Sequence, residues 1–307
     1  MTAPSPRLLR ETLGTFVRGK DDAIGVVLSA LIANGHVLLE DVPGVGKTTL
    51  ARALAGLLGL DYRRLQFTSD LLPADVVGGS VFDRDRNAFV FRPGPVFANV
   101  LLADEINRTT PKTQSALLEA MGEGQVSIDG TTHALPSPFF VLATQNPIDF
   151  YGTYPLPESQ LDRFLVRLRL GYPPAEVERE LLRTRRDRDP LEGLEPVLSA
   201  SELRAMQAAV ADVKIDDAIL DYLHAIVLAT RQSPLLEVGA STRAAIAFER
   251  IVRARALVEG RAHVMPDDVK KLAQPVLAHR LRGAGDGARD DSERALAEIL
   301  ERVPVPV

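Results

Sequence analysis

Apolar residues recur along this chain in two rhythms, and the point where one gives way to the other divides it. From 7 to 33 they follow helical spacing (Leu8, Leu9, Leu13, Phe16, then Ile24, Val27, Leu28, Leu31) with a break near Gly19, which predicts two helices. From 36 to about 170, short apolar runs alternate with helical stretches. The clearest strands are 36–40, 62–67, 99–103, 138–143 and 164–170, the pattern of an open α/β sheet. After Tyr172-Pro173-Pro174 the strand signal stops. Residues 176–187, 200–211, 216–232, 241–259 and 267–280 then read as helices separated by Pro, Gly or Ser, and no strand pattern competes with them. The tract 283–287 reads as a loop and 292–301 as a last helix. The prediction is an α/β domain over 1–172, a parallel sheet flanked by helices, followed by a smaller all-α domain over 173–307.

Composition narrows the function classes. With 307 residues and 46% apolar content, the chain can bury a full core. It has no cysteine, which excludes disulfides, thiolate metal sites and a Cys nucleophile and fits a reducing compartment. The five His residues form no HExxH or similar close pair, so a His-based metal site has little support. MTAPSPRLLRETLG lacks the apolar stretch of a signal peptide, and no apolar run is long enough to span a membrane. A net charge of −5 argues against a chain built to hold nucleic-acid backbone. A cytoplasmic location is expected. The mixed-charge run Arg183 to Asp189 reads as a solvated helix end.

The chemistry begins at EDVPGVGKTTL, residues 40–50, between an apolar strand and a helix. A phosphate-binding loop needs that setting, because the helix N-terminus and successive glycine-permitted amides together face an anion. Pro43, Gly44, Val45, Gly46, Lys47, Thr48 and Thr49 are the expected nucleotide contacts. Lys47 would reach the β- and γ-phosphates, and the Thr48 hydroxyl would ligate Mg²⁺. Asp41 stands where the full motif begins with Gly, and its side chain is expected to point away from the anion. The plainer alternative is a Gly-rich turn that happens to contain Lys-Thr-Thr.

VLLADE, residues 100–105, is an apolar strand ending in two carboxylates. Asp104 suits Mg²⁺ and Glu105 suits polarising a water, since phosphoryl transfer to water needs an oriented nucleophile. ATQNP, residues 143–147, ends the next apolar strand, which puts Asn146 in reach of a γ-phosphate or the attacking water. A turn started by Asn-Pro is the simpler alternative. Arg163, in ESQLDRFL, has the character of an arginine finger acting on a neighbouring subunit; a salt bridge to Asp162 or Glu158 is the other reading. Ser241 is a good N-cap, which leaves Arg243 in a first helical turn, where a cation opposes the dipole. A triphosphate would supply its partner; Glu237 is the alternative.

Together these segments resemble AAA+ ATPases, and more narrowly the MoxR family. The resemblance is carried by HVLLEDVPGVGKTTLARALA, QFTSDLLPADVVGG, FRPGPVFANVLLADEINR, LLEAMGEGQVSIDG, FVLATQNPID, YPLPESQLDRF and GASTRA, in order, from about 10 to 305. It implies Walker A at Lys47 and Thr48, Walker B at Asp104 and Glu105, sensor 1 at Asn146, the arginine finger at Arg163 and sensor 2 at Arg243. It implies an insert near 70–92 and a hairpin at 124–135; the turn signal Asp129-Gly130 supports the hairpin independently. The departures are Asp41 and Thr242, where related chains often carry Pro.

The resemblance further implies ATP and Mg²⁺ as cofactors, a homo-hexameric ring, and chaperone-like remodelling of a protein client. That client is often a von Willebrand factor A domain protein. Two alternatives stand beside it: a nucleic-acid motor or loader, which the acidic balance disfavours, and a nucleotide-gated scaffold that does not hydrolyse.

Overall fold

The computed structural model describes residues 5–146, 152–184, 190–285 and 288–306. Helix α1 (Pro6–Phe16) is capped by the Ser5 hydroxyl, and α2 (Asp21–Ile32) carries Asp21 and Asp22 in its first turn, where carboxylates favour the helix dipole. Next along the chain come β1 (Val37–Glu40), α3 (Lys47–Leu57), β2 (Tyr62–Gln66), α4 (Pro73–Val77), β3 (Gly78–Asp83), β4 (Ala88–Pro93), β5 (Val100–Asp104) and α5 (Pro111–Glu123). After these stand β6 (Gln125–Ile128), β7 (Thr131–Ala134), β8 (Phe140–Gln145), α6 (Glu158–Leu161) and β9 (Val166–Leu168). The helical region comprises α7 (Ala175–Thr184), α8 (Ala200–Ala209), α9 (Asp217–Gln232), α10 (Thr242–Val258), α11 (Pro266–Leu277) and α12 (Ala288–Arg302). Among the helices are also β10 (Leu236–Val238) and β11 (Arg282–Gly283).

Five parallel strands form one sheet in the order β2-β5-β8-β1-β9. β1 is therefore internal, with β8 on one side and β9 on the other, and the chain leaving it enters the crevice where the strand order reverses. Ligands of open α/β sheets bind there. Alternation along the strands sorts the core into two layers. Val37, Leu39, Val100, Leu102, Phe140 and Leu142 pack with α1, α2 and α3. Leu38, Leu101, Ala103, Val141 and Ala143 face α5 and Phe67.

The five predicted strands and the predicted helices are present, with ends shifted by a few residues. The stretch 147–151, including Pro147, lies outside the described residues, as do 185–189 of the charged run and 286–287 of the glycine tract. One feature corrects the sequence reading. The helical region contains a short antiparallel pair, β10 with β11, too brief to leave a period-two signature. Its helices also share their core with the first half of the chain: Phe248, Ile251 and Val252 of α10 join Ile24, Val27 and Leu28 of α2 in one continuous cluster.

Both predicted inserts are hairpins or contain one. Residues 70–92 supply α4 and the β3–β4 hairpin, and Asp129-Gly130 turns β6 into β7 with positive φ at both residues (50° and 77°). The hairpins touch: Phe91 stacks on His133 at 3.9 Å, and Ser80 Oγ donates to Asp129 Oδ2 at 2.6 Å.

Candidate functional site

The loop between β1 and α3 is shaped by Gly44 and Gly46, whose φ values of 89° and 99° lie in the left-handed region. The space above both is open, with nothing within 4 Å of where a Cβ would stand. The loop thus presents a concavity lined by backbone at the N-terminus of α3, the arrangement a polyphosphate needs. Lys47 is the first residue of α3 and donates from Nζ to the Asp41 carbonyl at 2.8 Å. Burial lowers the Lys47 pKa, while Asp104, Asp41 and Glu105 oppose the shift.

Parallel pairing delivers the two acids. β5 ends at Asp104 beside β2 and β8, in register with Gln66. Asp104 Oδ1 accepts from the Thr144 hydroxyl at 2.6 Å, and Oδ2 accepts from Arg64 Nη2 at 2.6 Å. The Thr144 hydroxyl oxygen in turn accepts the Glu105 amide at 2.8 Å. Thr144 thereby fixes both acids, which matters because Glu105 sits at φ 58°, ψ 51°, a left-handed conformation that costs a non-glycine residue of order 1–3 kcal/mol. The Glu105 carboxylate accepts from Gln66 Nε2 at 2.7 Å and pairs with Arg108 at 3.0 Å. Asn146 directly follows β8, one residue past Gln145, whose carbonyl accepts the Asp41 amide at 3.2 Å.

Lys47, Thr48, Asp104, Glu105 and Asn146 therefore all come from the C-terminal ends of β1, β5 and β8 or the helix that follows. The donor set suits Mg²⁺, with a threonine hydroxyl and a carboxylate beside a phosphate-shaped loop. Asp41 points its carboxylate away from the loop's concavity, toward the backbone of Leu170 and Gly171. Sequence reasoning singled out neither Thr144, Gln66 nor Arg64. The signal for Gln66 and Arg64 was their place at the end of the strand preceding VLLADE.

Arg163 and Arg243 lie elsewhere. Both line a cleft of about 500 Å³ with Asn34, His36, Phe139 and Arg280. Asn34 and His36 precede β1 and Phe139 precedes β8, so this cleft opens at the opposite end of the sheet from Lys47. The Arg163 guanidinium crosses α5 where Gly122 leaves room, since a Cβ there would collide with Nη1. Arg163 has no carboxylate partner among the described residues: Glu158 lies 3.9 Å from Arg282, and Asp162 is taken by Arg280 at 2.7 Å and Arg243 at 3.6 Å. The expected alternative partner of Arg243, Glu237, instead pairs with Arg282 at 3.0 Å. Arg243 remains 74% exposed, whereas Arg280 is buried and also donates to the carbonyls of Phe164 and Leu165 at 2.8 and 3.2 Å. His36 closes the floor. Its pKa is lowered to about 4, first by burial; the Met121 carbonyl opposes this and Arg250 adds to it.

The sequence pattern of the ATPase family associated with various cellular activities (AAA) matches residues 36–166, and that of the AAA lid domain matches 228–303. The chain is 48% identical to the uncharacterized protein YeaC of Bacillus subtilis, over 97% of this chain and 93% of that one. It is 42% identical to Chaperone MoxR1 of Mycobacterium tuberculosis, over 95% of this chain and 80% of the relative. A crystal structure from Cytophaga hutchinsonii, assigned as an ATPase, superposes with a TM-score of 0.88 at 36% identity, covering 98% of this chain and 94% of that one. With the strand order β2-β5-β8-β1-β9 and a phosphate loop facing two strand-end acids, these likenesses make the chain a member of the MoxR family of AAA+ ATPases.

Proposed function

We propose that this ATPase is a chaperone-like machine whose active sites are completed between subunits of a ring, most simply a hexamer. The observation that carries this reading is the separation of Lys47 from Arg163 and Arg243, which stand at opposite ends of β1. One end offers a phosphate loop with two acids, and the other offers arginines, two of which share the Asp162 carboxylate. Stacking like subunits would bring the arginine cleft of one against the nucleotide of the next. There Arg163, and Arg243 in trans with it, stabilise charge developing on the γ-phosphate.

Within one subunit the loop amides and Lys47 hold and orient the triphosphate. Thr48 and Asp104 would hold Mg²⁺, which supplies neutralisation of charge on the β- and γ-phosphates. Glu105 polarises the attacking water and Asn146 orients it. A bond forms from the water oxygen to the γ-phosphorus as the bond to the ADP oxygen breaks. Glu105 must first leave Gln66 and Arg108.

The relative named a chaperone supports a protein as the client. The client would be a von Willebrand factor A domain protein in the cytoplasm, a reading that rests on the family likeness alone. The coupled hairpins β3–β4 and β6–β7 are the elements proposed to push on it, with Val81, Phe82 and Phe89 exposed for contact. No helix among the described residues is long and apolar enough to cross a membrane.

The test is complementation. Arg163→Ala is expected to bind ATP as the wild type does and to lose turnover by about 10³-fold. Mixing it with Lys47→Ala subunits restores part of the rate, because an intact loop then meets an intact finger. Loss of binding in Arg163→Ala, or a mixture as dead as its parts, would mean the site lies within one subunit.

A further inference from the structure

The connector from β9 to α7 runs through Leu170, Gly171, Tyr172, Pro173 and Pro174, and two opposite charges grip it at the same two residues, Leu170 and Gly171. The Asp41 carboxylate, 6% exposed, accepts the amide hydrogens of Leu170 and of Gly171, the latter at 3.1 Å. Lys20, also 6% exposed, donates to the carbonyls of Leu170 and Gly171 at 2.8 and 2.7 Å. Burying either charge alone would be costly; together they neutralise each other across backbone that hydrogen-bonds to both. The turn carrying Lys20 is itself fixed to the far end of the connector and to α7: Gly19 lies against the Pro174 ring, and Arg18 pairs with Glu180 at 2.7 Å.

Asp41 faces both ways. Its side chain serves the connector, while its backbone carbonyl takes Lys47 Nζ at 2.8 Å. A lysine that moves to a phosphate must give up that carbonyl, so the residue that loses Lys47 is the one that holds 170–171. A glycine in its place would keep the loop's path and leave both connector amides without this acceptor.

We infer that Asp41 is a positioning residue that couples the nucleotide state of Lys47 to the connector between the sheet and the helical region. This rests on the reading that the loop holds ATP. Hydrogen exchange with ATPγS and Mg²⁺ tests it on the full chain. In the wild type, ATPγS slows exchange across 43–49 and changes exchange across 168–172 by about threefold or more. In Asp41→Gly, exchange across 168–172 rises about tenfold without nucleotide and no longer responds to ATPγS. Turnover falls about tenfold while the KM for ATP stays within about twofold.

Lys20→Met leaves the loop sequence untouched and is expected to abolish the same response, with Lys20→Arg restoring it in part; this arm holds even if Asp41→Gly fails to fold. A connector in both variants that still responds to ATPγS as the wild type does would overturn the coupling. So would a wild-type connector that ignores ATPγS while 43–49 becomes protected. Absence of protection at 43–49 in the wild type would instead overturn the nucleotide reading itself.

Discussion

At the C-terminal end of β1 the functional side chains come from neighbouring strand ends and from one unbroken loop. At its N-terminal end they come from the segment just after α6, from α10 and from the turn after α11, brought together by packing. The first end concentrates acids around one half-buried lysine, with Asp104, Asp41 and Glu105 all acting on Lys47. The second concentrates cations, with Asp162 shared between Arg243 and Arg280. Such halves are complementary, and the proposal of a site completed between subunits rests on that complementarity. It also separates two kinds of arginine. Arg280 is bonded into backbone carbonyls and belongs to the structure, whereas Arg243 is exposed and free to change partner.

That distinction is the sharpest to test, through stability. Asp162→Ala strands the buried Arg280 guanidinium and is expected to cost about 1–3 kcal/mol, read by urea unfolding. Arg243→Ala removes only an exposed ion pair, so its effect on unfolding stays within about 0.5 kcal/mol while turnover falls. Equal destabilisation by the two would mean that Arg243 is also structural, and the trans-acting role would lose its support.

The same end of the sheet carries a pH dependence that the nucleotide end lacks in this form. His36 Nδ1 accepts the Val141 amide at 3.1 Å and Nε2 lies 3.2 Å from the Met121 carbonyl, so the neutral ring fills both partners and a second proton would displace Val141. Its folded pKa of about 4 lies below the unfolded value near 6.5. The unfolded chain therefore binds the extra proton first, and the stability His36 supplies is complete above about pH 6.5 and is lost as pH falls toward 4. Between pH 7.5 and pH 5 the loss is about 2 kcal/mol. Urea midpoints of wild type and His36→Gln should converge over that interval; parallel pH slopes for the two would place the sensitivity elsewhere.

How much of each end was legible depends on how each is built. The loop at 40–50 is local, since strand, glycine turn and helix adjoin one another, and its lysine and threonine are identifiable from the residue order alone. Glu105 and Asp104 were legible because they end an apolar strand. Thr144, Arg64 and Gln66 were not, because their contacts arise from the order β2-β5-β8, which periodicity does not encode. Arg163 and Arg243 were legible as cations in suggestive places. That they share a cleft, and share it with Asp162 rather than with Glu237, depends on α10 packing against α2, which hydrophobic spacing does not specify. Asp41 was visible as a departure from a motif, but its partners sit where the sheet hands over to the helices.

The smallest expected effect lies at the nucleotide end and concerns how Glu105 is restrained. Its carboxylate is held by Gln66 at 2.7 Å and by Arg108 at 3.0 Å, so in this state it is engaged by protein donors. Under the proposed role of Glu105 each of those contacts would be traded for a water before hydrolysis, and each would lower the population of the active arrangement. Gln66→Ala removes the hydrogen bond to Glu105 and the longer one that Gln66 Oε1 accepts from Arg64 Nη2 at 3.2 Å, and nothing from the phosphate loop. At about 1.5 kcal/mol for the bond to the Glu105 carboxylate, turnover in the absence of a client should rise about tenfold with KM for ATP unchanged. If Gln66 instead aimed Glu105 at the water, the same variant would lose turnover. The sign of that rate change thus decides whether the strand-end amide restrains the catalytic carboxylate or directs it.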